Sequence, residues 1–156
     1  MIHDCNDYNI LVTATVLADN TESSKHKVVC PNSYEISGVI DFDEMVYTCL
    51  VYEVAVAMMY LMLCCDEPLA MTAYLLSGFE SRAPLPPEER RLLRVLTAGR
   101  FVVSLVYGLL GAKRNPDNAY LLSTQEEGWK CLELLWSQSE QDLMDLWERK
   151  SKITGP

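Results

Sequence analysis

A chain of 156 residues, 49% hydrophobic and 22% charged, carries enough apolar material for one domain with its own core, which excludes a disordered tail. Its formal net charge of -9 repels nucleic-acid backbones and anionic membrane surfaces, so neither is expected as a partner, whereas a cationic small molecule is compatible with it. The six cysteines (Cys5, Cys30, Cys49, Cys64, Cys65, Cys131) form neither a metal-ligand spacing nor a disulfide framework, and no secretory signal precedes them, so reduced thiols in the cytoplasm are expected.

The chain opens on Ile2-His3-Asp4-Cys5-Asn6-Asp7-Tyr8-Asn9-Ile10-Leu11, in which four residues separate Asp4 from Asn9. Ile10 to Val16 is rich in β-branched residues and reads as a short strand, pairing best with Tyr34 to Ile40. An antiparallel ribbon of these two would have Asn9 entering one strand and Asp41 leaving the other, so the two side chains would converge. Residues 17–33 between them are a polar run without helical periodicity and read as a long, mobile surface connection. Val46 to Cys65 approaches the length of about twenty residues that crosses a bilayer. Glu53, Tyr47, Thr48 and Tyr52 within it, and the lack of a closely flanking Lys or Arg, favour a central helix buried on all sides over a membrane span. A buried Glu53 needs partners; the expectation is that it accepts N–H bonds from the opening loop and braces it, the alternative being an incidental core carboxylate.

The remainder reads as helical. Pro68 to Ser81 places Leu69, Ala73, Leu76 and Phe79 at helical intervals. Pro84, Pro86 and Pro87 then punctuate the chain, and Glu88-Glu89 opens a long helix with Leu92, Leu96, Val103, Val106 and Leu110 along one apolar stripe up to Gly111. Asn115-Pro116-Asp117 marks a turn. Thr124-x-x-Glu127 is a candidate capping box for a helix with Trp129, Leu132 and Trp136 on one face, and Ser139-x-x-Asp142 is a second one, before Leu143 and Trp147. The tryptophans are expected in the core. The whole, residues 1–156, is expected to be a single domain, mainly α with a small antiparallel β ribbon.

The opening loop and Val39-Ile40-Asp41-Phe42 together look like the catalytic and metal-binding loops of a kinase. In that chemistry one carboxylate near the nucleophile receives the acceptor hydroxyl's proton, while an Asn and a second Asp supply oxygen ligands to magnesium on the nucleotide phosphates. Asp4, Asn9 and Asp41 are such a set; His3 precedes Asp4, a strand follows Asn9, and Asp41-Phe42 ends a second strand. Taken singly, an Asp or Asn in such a place is more often a turn or cap residue.

On these residues the opening resembles the His-Gly-Asp-x-Asn-Asp-x-Asn-Ile-Leu loop of the aminoglycoside-phosphotransferase-like kinases. Asn6 to Leu11, Ser37-Gly38-Val39-Ile40-Asp41-Phe42, Glu53-Val54-Ala55 and Ser77-Gly78-Phe79-Glu80-Ser81 are closest to the branch of that family that acts on hydroxylysine, and the similarity runs to Gly128-Trp129-Lys130. The resemblance implies the C-terminal lobe of a protein-kinase-like fold and a cytoplasmic enzyme that uses GTP with magnesium to phosphorylate the hydroxyl of 5-hydroxy-L-lysine, a step in lysine breakdown. Carried across, Asp4 is the catalytic carboxylate, Asn9 and Asp41 are the magnesium ligands, and His3 and Glu53 support the loop. His3 abuts Asp4 where the family has an intervening Gly, and Asp43 stands where it usually has a Gly, which restricts the backbone beside the metal. A small N-terminal lobe with a phosphate-covering loop is absent, so the expectation is the lobe of a longer kinase, as a fragment or truncated isoform, with little activity alone. A non-catalytic, pseudokinase-like interaction module is the other class left open. Substrate-binding residues are not assigned; Glu44, Glu80 and Glu127 are candidates for the substrate's amino groups, against an ordinary reading as solvated carboxylates.

Overall fold

The computed structural model describes residues 9–15, 33–42 and 47–151. Strand β1 (Ile10–Thr15) and strand β2 (Ser33–Val39) form the expected antiparallel ribbon, with Ile10 opposite Val39 and Ala14 opposite Tyr34. Pairing steps from Leu11–Gly38 to Val12–Ile36, so Ser37 is an extra residue in β2. Such a bulge bends a strand and tightens its twist, here just before Asp41. Ser33 belongs to β2, which takes one residue from the connection expected over 17–33; the rest of that connection lies outside the described residues.

Helix α1 (Leu50–Leu63) is the core element, with Val51, Val54, Ala55, Met58, Met59 and Met62 buried. It is shorter than the run Val46 to Cys65 suggested, since Cys49 is its N-cap and Tyr47 is exposed. Nor is it enclosed on all sides, because Tyr52 projects to solvent and Glu53 is only partly buried. Helix α2 (Pro68–Glu80) follows with Pro at its first position, where the missing N–H costs nothing, and buries Thr72, Ala73 and Leu76, with Leu69 and Phe79 packed at the edge as the spacing required.

Helix α3 (Pro87–Arg114) runs 28 residues, with Glu88 and Glu89 in its first turn and Lys113 and Arg114 in its last, matching the helix dipole at both ends. Its core face departs from the expected stripe. Leu93, Thr97, Ala98, Phe101 and Leu105 are buried, whereas Leu92, Val103, Val106 and Leu110 are exposed. Apolar residues lie on nearly every side of the helix, so periodicity alone does not choose the face, and two of its arginines reach neighbouring helices. Arg90 pairs with Glu80 on α2 at 3.6 Å, and the Arg100 guanidinium donates to the Tyr60 hydroxyl on α1 at 3.1 Å. By length and composition α3, not α1, is long and apolar enough to cross a membrane.

The turn at Asn115 forms, with the Asn118 N–H donating to the Asn115 carbonyl, and leads into a 3₁₀ turn (Ala119–Leu122) packed on α3. Close approach there depends on Gly108, where a Cβ would lie 2.6 Å from the Leu121 carbonyl oxygen. Helix α4 (Gln125–Ser137) has no capping box: the Thr124 side chain makes no cap bond, and Glu127 reaches Lys130 instead. In helix α5 (Glu140–Ser151) half of the second box forms: the Ser139 hydroxyl accepts from the Asp142 N–H at 3.1 Å, and the Asp142 carboxylate accepts from that hydroxyl at 2.6 Å. Trp147 anchors α5 to α2. It is 2% exposed, and its indole N–H donates to the Thr72 hydroxyl at 3.0 Å, which in turn donates to the Leu69 carbonyl at 2.7 Å. That chain satisfies a polar pair which burial would otherwise make costly.

Candidate functional site

Asn9 immediately precedes β1 and is 8% exposed. Its carbonyl accepts the Ile40 N–H at 3.0 Å, which carries the ribbon's pairing one step beyond Ile10–Val39. The residue after Ile40 is Asp41, so Asn9 and Asp41 come to the same end of the ribbon although the sequence sets them far apart. Asp41 has φ 65°, in the left-handed region that costs an L-residue with a Cβ, though Asp and Asn tolerate it better than most. The left-handed kink ends the strand's alternation at Asp41, so this carboxylate is not bound to the face opposite its neighbour Ile40. Backbone strain of this kind concentrates at functional positions.

The rest of the expected constellation divides. His3, Asp4, Asp43 and Glu44 lie outside the described residues. Glu53 sits in the first turn of α1. Glu80 is held by Arg90, and Glu127 by Lys130 at 2.8 Å, so both carboxylates are engaged within the fold. Lys130 lies between Glu127 and Glu126, and their hydrogen bonds hold its ammonium above the ordinary range. Among the described residues no group of three His, Cys, Asp or Glu side chains comes together. Of the expected set, the described residues include Asn9 and Asp41, brought to one end of the ribbon by its backbone pairing.

Sequence reasoning missed a second feature. Trp129 and Trp136 are 49% and 55% exposed, not core, and with Val95, Gly99, Val102 and Leu132 they line a groove of about 640 Å³ between α3 and α4. Arg94 holds one wall: its guanidinium stacks 4.2 Å from the centre of the Trp136 ring and donates to the Trp136 carbonyl at 2.8 Å. The signal was available in Glu133, which shares the helical face of Trp129 and Trp136, because a carboxylate on that face argues against complete burial.

A helical body with a two-stranded ribbon, its end carrying an Asn and a kinked Asp, is compatible with part of a kinase-like protein, and kinases are what the comparisons with known proteins find. Over 150 residues, 96% of its length, the chain is 35% identical to hydroxylysine kinase of Bos taurus and to that of Mus musculus. It is 33% identical over 145 residues to hydroxylysine kinase of Xenopus laevis. The chain is thus a homologue of hydroxylysine kinase, and it spans about 37% of the length of the relatives it matches. No family model matches it, and no solved structure matches it significantly.

Proposed function

We propose that the chain is the C-terminal, catalytic part of a cytoplasmic kinase that transfers the γ-phosphate of GTP to the hydroxyl of 5-hydroxy-L-lysine. The observation that carries this reading is the pairing of Asn9 against Ile40 beside a left-handed Asp41. The identity of the substrate rests on the similarity to hydroxylysine kinases along almost the whole chain. Asp4 orients the acceptor hydroxyl and takes its proton, and Asn9 and Asp41 hold magnesium, which neutralises charge on the transferring phosphate. The net charge of -9 favours a substrate with two ammonium groups. Binding of the nucleotide base falls to polypeptide beyond the part these residues match, so the chain by itself turns over little.

The test is magnesium-dependent transfer of labelled γ-phosphate from GTP to 5-hydroxy-L-lysine, by the chain alone and by a version extended with the polypeptide its relatives possess. The extended version should be active, and Asp41→Ala should abolish activity without unfolding it. Full activity in Asp41→Ala would refute the site, and equal use of ATP would refute the donor.

A further inference from the structure

The outer face of α3 is organised differently from its core face. Leu92, Val95, Val102, Val106 and Leu109 are all between 44% and 54% exposed, and Gly99 completes a series spaced four and three residues alternately. That spacing matches the seam of a coiled coil, with Val103, Tyr107 and Leu110 exposed beside it. Between Leu92 and Leu109 the seam is about 26 Å long at 1.5 Å per residue. Continued by one step at each end, it meets Glu88 and Lys113, both exposed and neither in an ion pair among the described residues.

The series is complementary to its own reverse. Laid antiparallel on itself, Leu92 falls opposite Leu109, Val95 opposite Val106, and Gly99 opposite Val102. At both ends Glu88 then faces Lys113. We propose that α3 pairs antiparallel with α3 of a second copy of this chain, about a two-fold axis near the middle of the helix. A two-fold interface requires self-complementarity of this sort, residue i meeting j while j meets i. The centre fits a close crossing. A Cβ built on Gly99 meets nothing within 4 Å, so the space there is open to the partner's Val102. The partner helix would lie in the groove whose other wall is Trp129 and Trp136, already fixed by Arg94.

A small molecule in the groove would leave both ends of the seam uncovered. Insertion in a bilayer would strip Leu93, Phe101 and Leu105 from the core and take Arg94 and Arg100 into hydrocarbon.

Sedimentation equilibrium of the full chain tests the proposal, with charge swapping as its specific arm. The chain should show a monomer–dimer equilibrium. Glu88→Lys or Lys113→Glu puts two repulsive pairs into each homodimer and should weaken it about tenfold. Mixing the two single variants should restore the dimer, since both end pairs become attractive again, and so should the double variant. Gly99→Trp should abolish dimerisation, and thermal unfolding at low concentration checks that the monomer keeps its fold. Dimerisation should also shift the fluorescence of Trp129 and Trp136 to the blue. A chain that stays monomeric, a dimer indifferent to the charge swaps, or flotation of the chain with phosphatidylcholine vesicles would overturn the proposal.

Discussion

The ribbon and the helical body obey different rules of stability. In the body, Phe101, Met59, Leu93 and Trp147 are enclosed and every helix packs on at least one other. Cohesion there comes from dense apolar contact, with short polar links such as Trp147–Thr72–Leu69 filling what apolar groups cannot. Among the described residues the strands of the ribbon pair mainly with each other, and Leu11, Val12, Tyr34 and Ile36 remain largely exposed, Ile36 at 72%. An isolated two-stranded ribbon is marginal in water. The candidate site therefore sits on the less well-supported element, and the body acts as its platform. Groups that must change partners during turnover belong on such an element, whereas a close-packed interior resists rearrangement.

This contrast can be broken from either side. The largest effect is expected from Trp147→Ala, which removes a fully buried indole and its bond to Thr72; unfolding by denaturant should show a loss of about 3–5 kcal/mol. Gly108→Ala should cost about 1–3 kcal/mol, because a Cβ there meets the Leu121 backbone and no side-chain rotation relieves it. Asp41→Gly should leave stability unchanged or raise it by up to about 1 kcal/mol by releasing the left-handed strain, while activity of the extended enzyme is lost. A measured loss of stability would mean that Asp41 is structural. Ile36→Ala on the open ribbon should change stability by less than about 0.5 kcal/mol; a larger loss would show that the ribbon packs on more than its own strands.

A pH titration sharpens the same comparison within the body. Burial pushes the Cys131 thiol above its ordinary value of 9.0, with the nearby Glu127 adding to it, and the thiol donates to the Met62 carbonyl at 3.3 Å. With the folded value above the unfolded one, the folded chain binds more protons in that window. Its contribution is complete below about pH 9 and lost as pH rises through the folded value. Cys131→Val should flatten this alkaline decline in melting temperature, and an unaltered decline would assign it to other groups.

Local chemistry was legible where a few neighbouring residues decide the outcome. The strand pair followed from β-branched runs, the start of α3 from Pro87 with Glu88-Glu89, and the start of α5 from Ser139 and Asp142. The placement of Asn9 and Asp41 at one end of the ribbon followed from antiparallel pairing. Thr124 failed as a cap because its backbone is already helical, φ -94° and ψ -3°, where a capping residue is extended, and Glu127, which would complete the box, bonds Lys130. Core assignment failed for Trp129 and Trp136, since the same apolar spacing describes a buried stripe and the wall of an open groove.

By itself, then, the order of residues determined the element types, most of their ends, and the placing of an Asn and an Asp at one end of a ribbon, all of which depend on backbone preferences acting over a few residues. Which side of α3 turns inward, where Asp41 kinks, and which tryptophan anchors the core were decided by tertiary packing. The physical reason is that a helix with apolar residues on nearly every side has no preferred face until the neighbouring helices close around it, Glu80, Tyr60 and Trp136 then meeting its arginines.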